Sequence, residues 1–321
     1  MPKVSVIIPV YGVEKYIERC ARSLFEQTLD DIEYLFVDDC TPDKSIEILM
    51  KVLDKYPERS GQVVIHRMEQ NSGQAIVRKW GMQNAKGEYV IHCDSDDWID
   101  IDMYKSMYEK GKEENADIVV CDYKITDGLH SQTKKGLYRI ENCLSDMMYS
   151  KISWSLWNKL VKRIVYKDNI KYSENNVGED MALVLQMMRR ANRISYIQEG
   201  YYHYFYNPIS TMNRHDKKNQ LDKYNQMYAN IKIIENDFKD KDFGFDVNRR
   251  LNAMKFYCQI LLIPILNKEM ISLWKKRFDF SIMSVIMNPK VNVRYKLIYC
   301  TYALKCYKLI QKIRKCVKIL F

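Results

Sequence analysis

The chain has 321 residues, of which 47% are apolar and 29% are charged, and it contains only 11 Gly and 7 Pro. This composition is typical of a globular chain and excludes an intrinsically disordered one, and the length suits one large domain or a domain with a smaller appendage. The net charge of +10 is concentrated at the C-terminus, because residues 280–321 contain nine Lys or Arg and no Asp or Glu.

The first 120 residues alternate between strand-like and helix-like patterns. Short apolar runs predict four strands, at residues 4–8, 34–37, 63–65 and 88–93. The spacing of apolar residues predicts three helices between them, at residues 14–27, 43–56 and 72–84. This alternation predicts an α/β fold, with an open and mostly parallel sheet flanked by helices on both faces.

Acidic residues follow two of the predicted strands directly. Asp38 and Asp39 follow the second strand, and Asp94, Asp96 and Asp97 follow the fourth. Ligands of open α/β sheets bind in the crevice beyond the carboxyl ends of the strands. The sequence therefore predicts a ligand site at this edge of the sheet.

The run Asp94-Ser95-Asp96-Asp97 is hard to explain without a cation, because its three carboxylates repel one another. Mg²⁺ and Mn²⁺ are commonly held by one or two carboxylates together with phosphate oxygens. The run therefore predicts a divalent metal site that neutralises a diphosphate. The alternative is that the run caps the next helix, for which a single Asp is enough.

Two further positions have both a functional and a structural interpretation. Asp39 suits a contact to the N–H of a pyrimidine base, or else the turn into the next helix, with Thr41 or Asp43 as the helix cap. Arg78 suits a phosphate contact near the start of a helix, or else a structural ion pair, with Ser72 as the helix cap.

A carboxylate also lies at the start of the helix predicted for residues 180–191, in the motif Gly178-Glu179-Asp180. Asp180 suits a general base that takes a proton from a hydroxyl group. The alternative is a favourable pairing of acidic side chains with the helix dipole. The five histidines show no metal-ligand spacing, and no Ser or Cys has the supporting groups of a nucleophile.

The nine cysteines include no C-x-x-C pair, and apolar residues flank Cys93 and Cys121. These features favour buried, reduced thiols over a disulfide framework or a zinc site. The chain begins with a strand-like run instead of a signal-peptide pattern, and no apolar stretch reaches the roughly 18 residues of a membrane-spanning helix. The expected location is therefore the cytoplasm.

Taken in order, these motifs resemble the family 2 glycosyltransferases of bacterial surface-polysaccharide type, which have the GT-A fold. The resemblance covers about residues 1–210. It is carried by eight segments: Val6-Ile7-Ile8-Pro9-Val10-Tyr11, Ser23-Leu24-Phe25-Glu26-Gln27-Thr28, Val37-Asp38-Asp39, Asn71-x-Gly73 with Arg78, Gly87-Glu88-Tyr89-Val90, the acidic run, Trp157-Asn158-Lys159 and Gly178-Glu179-Asp180.

The resemblance implies an inverting glycosyltransferase that moves a sugar from a nucleotide diphosphate donor, a UDP-sugar, to a glycan or lipid-linked acceptor. It implies that Asp180 is the catalytic base and that Asp96 binds Mn²⁺ or Mg²⁺. Asp39 is implied to contact the uracil base and Asp94 the ribose side, while Asp97 becomes a structural acid. The full implied donor-binding set is Pro9, Tyr11, Asp39, Arg78, Asp94 and Ser95.

Three positions depart from the family pattern. Gly12 stands where Asn usually follows the Tyr, and Lys79 stands where Asn usually follows the Arg. The segment Cys40-Thr41-Pro42 replaces a more common Gly-Ser turn. None of these changes removes a carboxylate, so they affect the nucleotide contacts and not the reaction class.

The resemblance divides the chain into two predicted regions. Residues 1–215 form the GT-A domain, with a nucleotide-sugar-binding half at 1–120 and an acceptor-side half at 121–215, and residues 216–321 form a helical, basic region. In residues 291–321, apolar residues recur at three- or four-residue steps and lysines lie on another face. This pattern favours a helix on an anionic membrane surface, the inner face of the cell membrane. The alternative is a helix that packs on the catalytic domain, and no nucleic-acid partner is expected.

Two other functions compete with sugar transfer. A nucleotidyltransferase also joins a parallel sheet to metal-bound carboxylates, although it needs an early Gly-rich phosphate loop that this sequence lacks. A non-catalytic, membrane-docked assembly protein with the same fold is expected to have lost part of the acidic set. Every expected carboxylate is present here.

Overall fold

One sheet of nine strands runs through the part of the chain that the computed structural model describes, residues 1–137, 139–149, 151–167, 169–206, 217–239, 246–260, 293, 296 and 297. The strands are β1 (Val4–Val10), β2 (Ile32–Asp38), β3 (Val63–Arg67), β4 (Tyr89–His92), β5 (Trp98–Ile99), β6 (Ile118–Thr126), β7 (Ser131–Lys134), β8 (Lys159–Lys162) and β9 (Ile194–Phe205). The helices are α1 (Ile17–Phe25), α2 (Ser45–Leu53), α3 (Gln74–Asn84), α4 (Met103–Glu113), α5 (Cys143–Met148), α6 (Arg163–Lys167), α7 (Glu179–Arg190), α8 (Lys217–Phe238) and α9 (Val247–Ile260).

The strand order is β3-β2-β1-β4-β8-β6-β9-β5, and β7 pairs with β6. Strands β1 to β4 are parallel, as the alternation of apolar runs and helices predicts. Strand β8 runs antiparallel to both β4 and β6, and β5 runs antiparallel to β9. The predicted α/β fold is confirmed, with parallel pairing in the first half and mixed pairing in the second.

The sheet has an apolar layer on each face. On one face, Val6, Ile8 and Ile91 belong to a buried cluster that also takes in side chains of α1, α2 and α4. On the other face, Ile7 and Val90 belong to a second cluster with α5, α6, α7, α8 and α9. Successive side chains of a strand point to opposite faces, so the continuous apolar runs of β1 and β4 serve both layers.

Helix α3 begins differently from the prediction. The hydroxyl of Ser72 donates to the carbonyl of Gln70 at 3.1 Å, so Ser72 does not cap the helix. The cap comes instead from a distant loop, because the amide of Ala75 donates to Oδ1 of Asn176 at 3.0 Å. The orphan amide at this helix start is therefore satisfied by a residue 101 positions away.

The acidic run does not cap a helix either. Strand β5 follows the run, and α4 begins only at Met103. The capping alternative is therefore wrong for this run. The predicted cap of α2 is also wrong, because the N-cap is Lys44 and not Thr41 or Asp43. Asp43 lies one residue earlier, where its carboxylate accepts the amide of Ser45 at 3.1 Å.

Helices α8 and α9 pack against α5 and α7. Tyr224 and Ile231 of α8 and Met254 of α9 are buried in the same cluster as α7. Within the described ranges, no helix has both the length and the apolar character needed to cross a bilayer. The predicted membrane-binding helix at 291–321 lies outside the described residues, apart from positions 293, 296 and 297.

Candidate active site

The acidic run is fixed at the end of β4 by bonds to two other strands. The hydroxyl of Ser95 donates to the carbonyl of Pro9 in β1 at 2.6 Å. The amide of Asp94 donates to the Tyr202 hydroxyl at 3.0 Å, and that hydroxyl donates to Asp97 at 2.6 Å. The run is therefore a defined loop whose carboxylates have separate surroundings.

Asp97 is the buried member of the run. Its second carboxylate oxygen accepts the amide of Phe205 at 2.7 Å, and none of its surface is exposed. Burial, together with the charges of Asp96 and Asp94, holds its pKa well above the usual range. Asp97 thus ties the run to β9, which is the structural role expected for it.

Asp96 is the member best placed to bind a cation. It is half-buried, and within the described part of the chain its carboxylate accepts no hydrogen bond from another residue. Burial and the charge of Asp94 raise its pKa to about 6. Its backbone is held firmly, because Arg19 donates to the Asp96 carbonyl at 2.8 Å and stacks on Trp98 at 3.7 Å from the ring centroid.

Arg78 connects the acidic run to the start of α7. This buried guanidinium donates to Oδ1 of Asp94 at 2.5 Å through one nitrogen and to Glu179 through another. Burial disfavours the charge, yet Glu179, Asp94 and Asp180 together raise the pKa of the guanidinium above its ordinary value. Arg78 therefore forms the ion pairs of the structural interpretation, and its phosphate contact stays a prediction.

The start of α7 places two acids beside that guanidinium. Burial raises the pKa of Glu179 to about 7, against the opposing charge of Arg78. Burial also raises the pKa of Asp180, which is half-buried and accepts the amide of Met181 at 2.7 Å. A half-buried acid with a raised pKa is suited to proton transfer near neutral pH.

Asp39 lies at the end of β2 and holds the loop before α3. Its two oxygens accept the amides of Ser72 at 2.7 Å and Gly73 at 2.8 Å. Gly73 has a φ of 83°, which favours glycine. Each carboxylate oxygen retains a second lone pair, so these bonds leave room for a further donor.

The structure therefore brings together most, but not all, of the expected site. Asp94, Arg78 and Asp180 share one electrostatic cluster, and Ser95 is bonded to Pro9. Tyr11 follows β1 and is 50% exposed. The roles assigned to these residues in donor binding and catalysis remain predictions.

Several residues that support the candidate site are hard to recognise from the sequence. Tyr202 and Asn176 form long-range bonds that no local pattern reveals.

The Trp157-Asn158-Lys159 motif has a structural explanation, because the buried Lys159 amine donates to Ser155 at 2.7 Å and to Asn158 at 2.8 Å. Burial lowers the pKa of Lys159 to about 7. Trp157 next to it stacks on Tyr202, with ring centroids 4.2 Å apart.

Removing the Arg78 guanidinium should destabilise the fold. In Arg78→Met, the carboxylates of Asp94 and Glu179 lose the cation they share, and breaking a buried pair typically costs about 3–5 kcal/mol. We expect the free energy of unfolding, measured by urea titration, to fall by that order. Arg78→Lys retains the charge without the planar fork, so it should recover only part of the loss. Wild-type stability in Arg78→Met would contradict the assignment.

Comparison with known proteins adds three findings. Residues 5–182 match the sequence model of Glycosyl transferase family 2. An uncharacterised glycosyltransferase of Bacillus subtilis, EpsJ, is 32% identical over 222 residues, which cover 65% of this chain and 63% of that protein. A poly(ribitol-phosphate) beta-glucosyltransferase of Bacillus spizizenii is 32% identical over 207 residues, covering 63% of this chain and 32% of that protein.

Among solved structures, S. aureus TarS 1–349 in complex with UDP superposes with a TM-score of 0.67 at 20% identity. The superposition covers 99% of this chain and 92% of that one. At this identity the likeness shows the fold alone. This chain spans less than two thirds of the length of the two curated relatives.

Proposed function

This chain belongs to glycosyltransferase family 2, and from that premise we propose that it transfers a sugar from a UDP-sugar to a hydroxyl group of a glycan or lipid-linked acceptor. The acceptor class is that of surface-polysaccharide synthesis. Two comparisons support this choice: TarS was solved with UDP, and the Bacillus spizizenii relative is a poly(ribitol-phosphate) beta-glucosyltransferase. The two regions predicted for the chain, 1–215 and 216–321, remain part of the proposal.

One observation carries the proposal: Arg78 bonds both Asp94 of the acidic run and Glu179 beside Asp180. A transferase must hold the diphosphate of its donor and the base for its acceptor a short distance apart. Through Arg78, the acidic run proposed to hold the diphosphate lies close to the start of α7, which carries the proposed base. The two segments come from opposite halves of the chain. Neither a nucleotidyltransferase nor an assembly protein requires a base at the start of α7.

The reaction is a single displacement that inverts the anomeric carbon. Asp180 takes the proton of the acceptor hydroxyl as its oxygen attacks C1 of the donor sugar. The bond between C1 and the diphosphate oxygen breaks, and UDP leaves with that electron pair. The raised pKa of Asp180 brings its basicity closer to neutral pH, where proton transfer is most effective.

The donor is held by the residues around the acidic run. Asp39 contacts the uracil N–H with its remaining lone pairs, Asp94 contacts the ribose, and Arg78 contacts the nucleotide. Pro9, Tyr11 and Ser95 line the pocket at the end of β1. The bonds of Asp39 to the 72–73 amides and of Ser95 to Pro9 support a preformed pocket.

The residues of the acidic run fit a divalent cation. The described residues contain no group of three or more His, Cys, Asp or Glu able to hold a metal, so a carboxylate-only cage is not formed there. Mg²⁺ and Mn²⁺ are usually bound by one or two carboxylates plus substrate phosphates, and the Asp96 carboxylate accepts no hydrogen bond from any other described residue. When bound, Mn²⁺ or Mg²⁺ supplies charge neutralisation to the diphosphate.

The membrane proposal rests on sequence alone, because the basic helix expected at 291–321 lies outside the described residues, apart from positions 293, 296 and 297. We propose that this helix docks the enzyme on the anionic inner face of the cell membrane, where lipid-linked acceptors are accessible. The proposed location is then cytoplasmic and peripheral.

Titration calorimetry of the protein with UDP, with and without Mn²⁺, tests the proposed function. We expect binding that requires the cation, and slow release of UDP when a UDP-sugar replaces UDP. Release of pyrophosphate from a nucleoside triphosphate would indicate a nucleotidyltransferase instead. Failure to bind any nucleotide with Mn²⁺ would favour the assembly protein.

A further inference from the structure

The loop before α7 caps the donor-side helix α3. Oδ1 of Asn176 accepts the amide of Ala75 at 3.0 Å. The same side chain lies on Gly73, because a Cβ built at that glycine would meet Nδ2 of Asn176 at 2.3 Å. Gly73 is in turn bound through its amide to Asp39 at 2.8 Å. The segment that precedes Asp180 is therefore bonded to the segment that holds the proposed uracil contact.

The same loop is bonded on its other side to α8. The amide of Val177 donates to Oε1 of Gln226 at 3.0 Å. Nδ2 of Asn230, a fully buried side chain, donates to the carbonyls of Asn175 at 3.3 Å and Val177 at 2.8 Å. Both backbone groups of Val177 are thus satisfied by one helix, so the loop lies in one position relative to α8.

The start of α7 lies directly against α8. Gly178, the residue before α7, has a φ of 81°, and a Cβ at this position would meet the sulfur of Met227 at 2.6 Å. Farther along, Asp237 of α8 receives donors from Arg189 at 2.6 Å and Arg190 at 2.7 Å. Helix α8 therefore contacts α7 at both ends of α7, which is the shorter of the two helices.

These contacts form one continuous series, which we call the strap: Asp39, the 72–75 amides, Asn176, the 175–177 backbone, and Gln226 with Asn230. We propose that Asn176, Gln226 and Asn230 are positioning residues that set Asp180 at its working distance from the donor. This inference rests on the proposed function, in which Asp180 is the base. It extends the catalytic apparatus to α8, beyond the 5–182 segment that matches the family.

The physical reason is the steep dependence of proton transfer on geometry. A displacement of about 1 Å caused by a change far from the reacting atoms can cost about 100-fold in rate. The backbone of a short loop has fewer hydrogen bonds of its own than a helix interior to resist such a displacement. Within this loop the amide of Asn175 donates to the Ser173 hydroxyl at 2.9 Å, while Gln226 and Asn230 of α8 bond the backbone of Val177.

Two variants of Gln226 test the hydrogen bond that its side chain accepts from the Val177 amide. Gln226→Met has nearly the same size but accepts no hydrogen bond from Val177, whereas Gln226→Glu retains the acceptor oxygen. We expect Gln226→Met to lower kcat for UDP-sugar hydrolysis with Mn²⁺ by about tenfold or more, with an unchanged KM for the donor. Gln226→Glu should recover most of kcat. Asp222→Ala, an exposed position on the same helix, is the control and should match the wild type.

Amide hydrogen exchange provides a second measurement that needs no substrate. Gln226→Met should speed exchange in residues 175–178 and also in 73–75, because Asn176 links the two segments. Asn176→Ala should speed exchange at 73–75 and lower stability only by the typical cost of one lost helix cap. If Gln226→Met speeds exchange only in residues 175–178 and not in 73–75, the two segments are not linked, and the strap proposal is overturned.

The two proposals fail in distinguishable ways. A wild-type protein that binds no UDP with Mn²⁺ would overturn the proposed function and, with it, the catalytic role of the strap. A wild-type protein that binds and hydrolyses the donor, with kcat unchanged in Gln226→Met, would overturn only the positioning role. An equal loss of kcat in Gln226→Met and Gln226→Glu would overturn it too, because the acceptor oxygen would then be irrelevant.

Discussion

Replacing Asp180 with asparagine is expected to lower the rate of sugar transfer by about 10²–10⁴-fold, the usual contribution of a general base. Asparagine has the shape of aspartate, and its side-chain oxygen can still accept the Met181 amide. It cannot take a proton from an acceptor hydroxyl. The donor contacts lie on other elements, so the affinity for UDP with Mn²⁺ should remain near that of the wild type.

Steady-state kinetics of UDP release and calorimetry with UDP measure these two effects separately. Glu174→Gln is the control, because Glu174 is an exposed acid in the segment before α7. It should have wild-type kcat. The base assignment would be wrong if Asp180→Asn kept wild-type kcat, or if UDP binding and kcat fell together.

Replacing Asp96 with asparagine is expected to remove the dependence of UDP binding on Mn²⁺ and to abolish transfer. The change deletes the carboxylate charge at the one member of the acidic run whose oxygens accept no bond from another described residue. No other described side chain loses a hydrogen-bond partner, so the thermal midpoint should stay close to that of the wild type. A divalent cation prefers charged oxygen ligands, which an amide replaces poorly.

Asp97→Asn provides the contrasting variant one position away. Its carboxylate accepts bonds from the Tyr202 hydroxyl and the Phe205 amide, and an amide group cannot accept both in the same geometry. This variant should lower the thermal midpoint. Metal-dependent UDP binding unchanged in Asp96→Asn, measured by calorimetry with and without Mn²⁺, would refute the metal assignment.

The sequence predicts the first half of the fold well because its signals there are local. Strands β1, β2 and β4 are fully or almost fully buried, and parallel strands buried on both faces appear as continuous apolar runs. In the second half, the start of β6 at 118–121 is such a run, but β5 and β9 are not. Strand β5 has 2 residues, and β9 mixes buried, half-buried and exposed positions over 12 residues, so its aromatic residues indicate a cluster without revealing a strand.

The candidate site shows the same division between local and distant signals. The positions of Asp39, Asp94 and Asp96 can be predicted from sequence, because each residue follows closely the strand that positions it. The cap of α3 is not found, because Ser72 has the right residue type in the right place while Asn176 makes the bond. The role of Glu179 as the partner of Arg78 similarly depends on two helices that meet only in the folded chain.

The packing of α8 against α7 has a practical consequence for protein engineering. Hybrid enzymes that combine a donor half from one relative with an acceptor half from another need a junction where few contacts are cut. The end of the family match at residue 182 is a poor junction, because it falls inside α7 and separates Arg189 and Arg190 from the first turn of their own helix. An exchange that carries 173–238 as one piece keeps the loop, α7 and α8 together, and the new host must then match the bonds of Asn176, the ion pair of Arg78 with Glu179, and the pairing of β9 with β6 and β5.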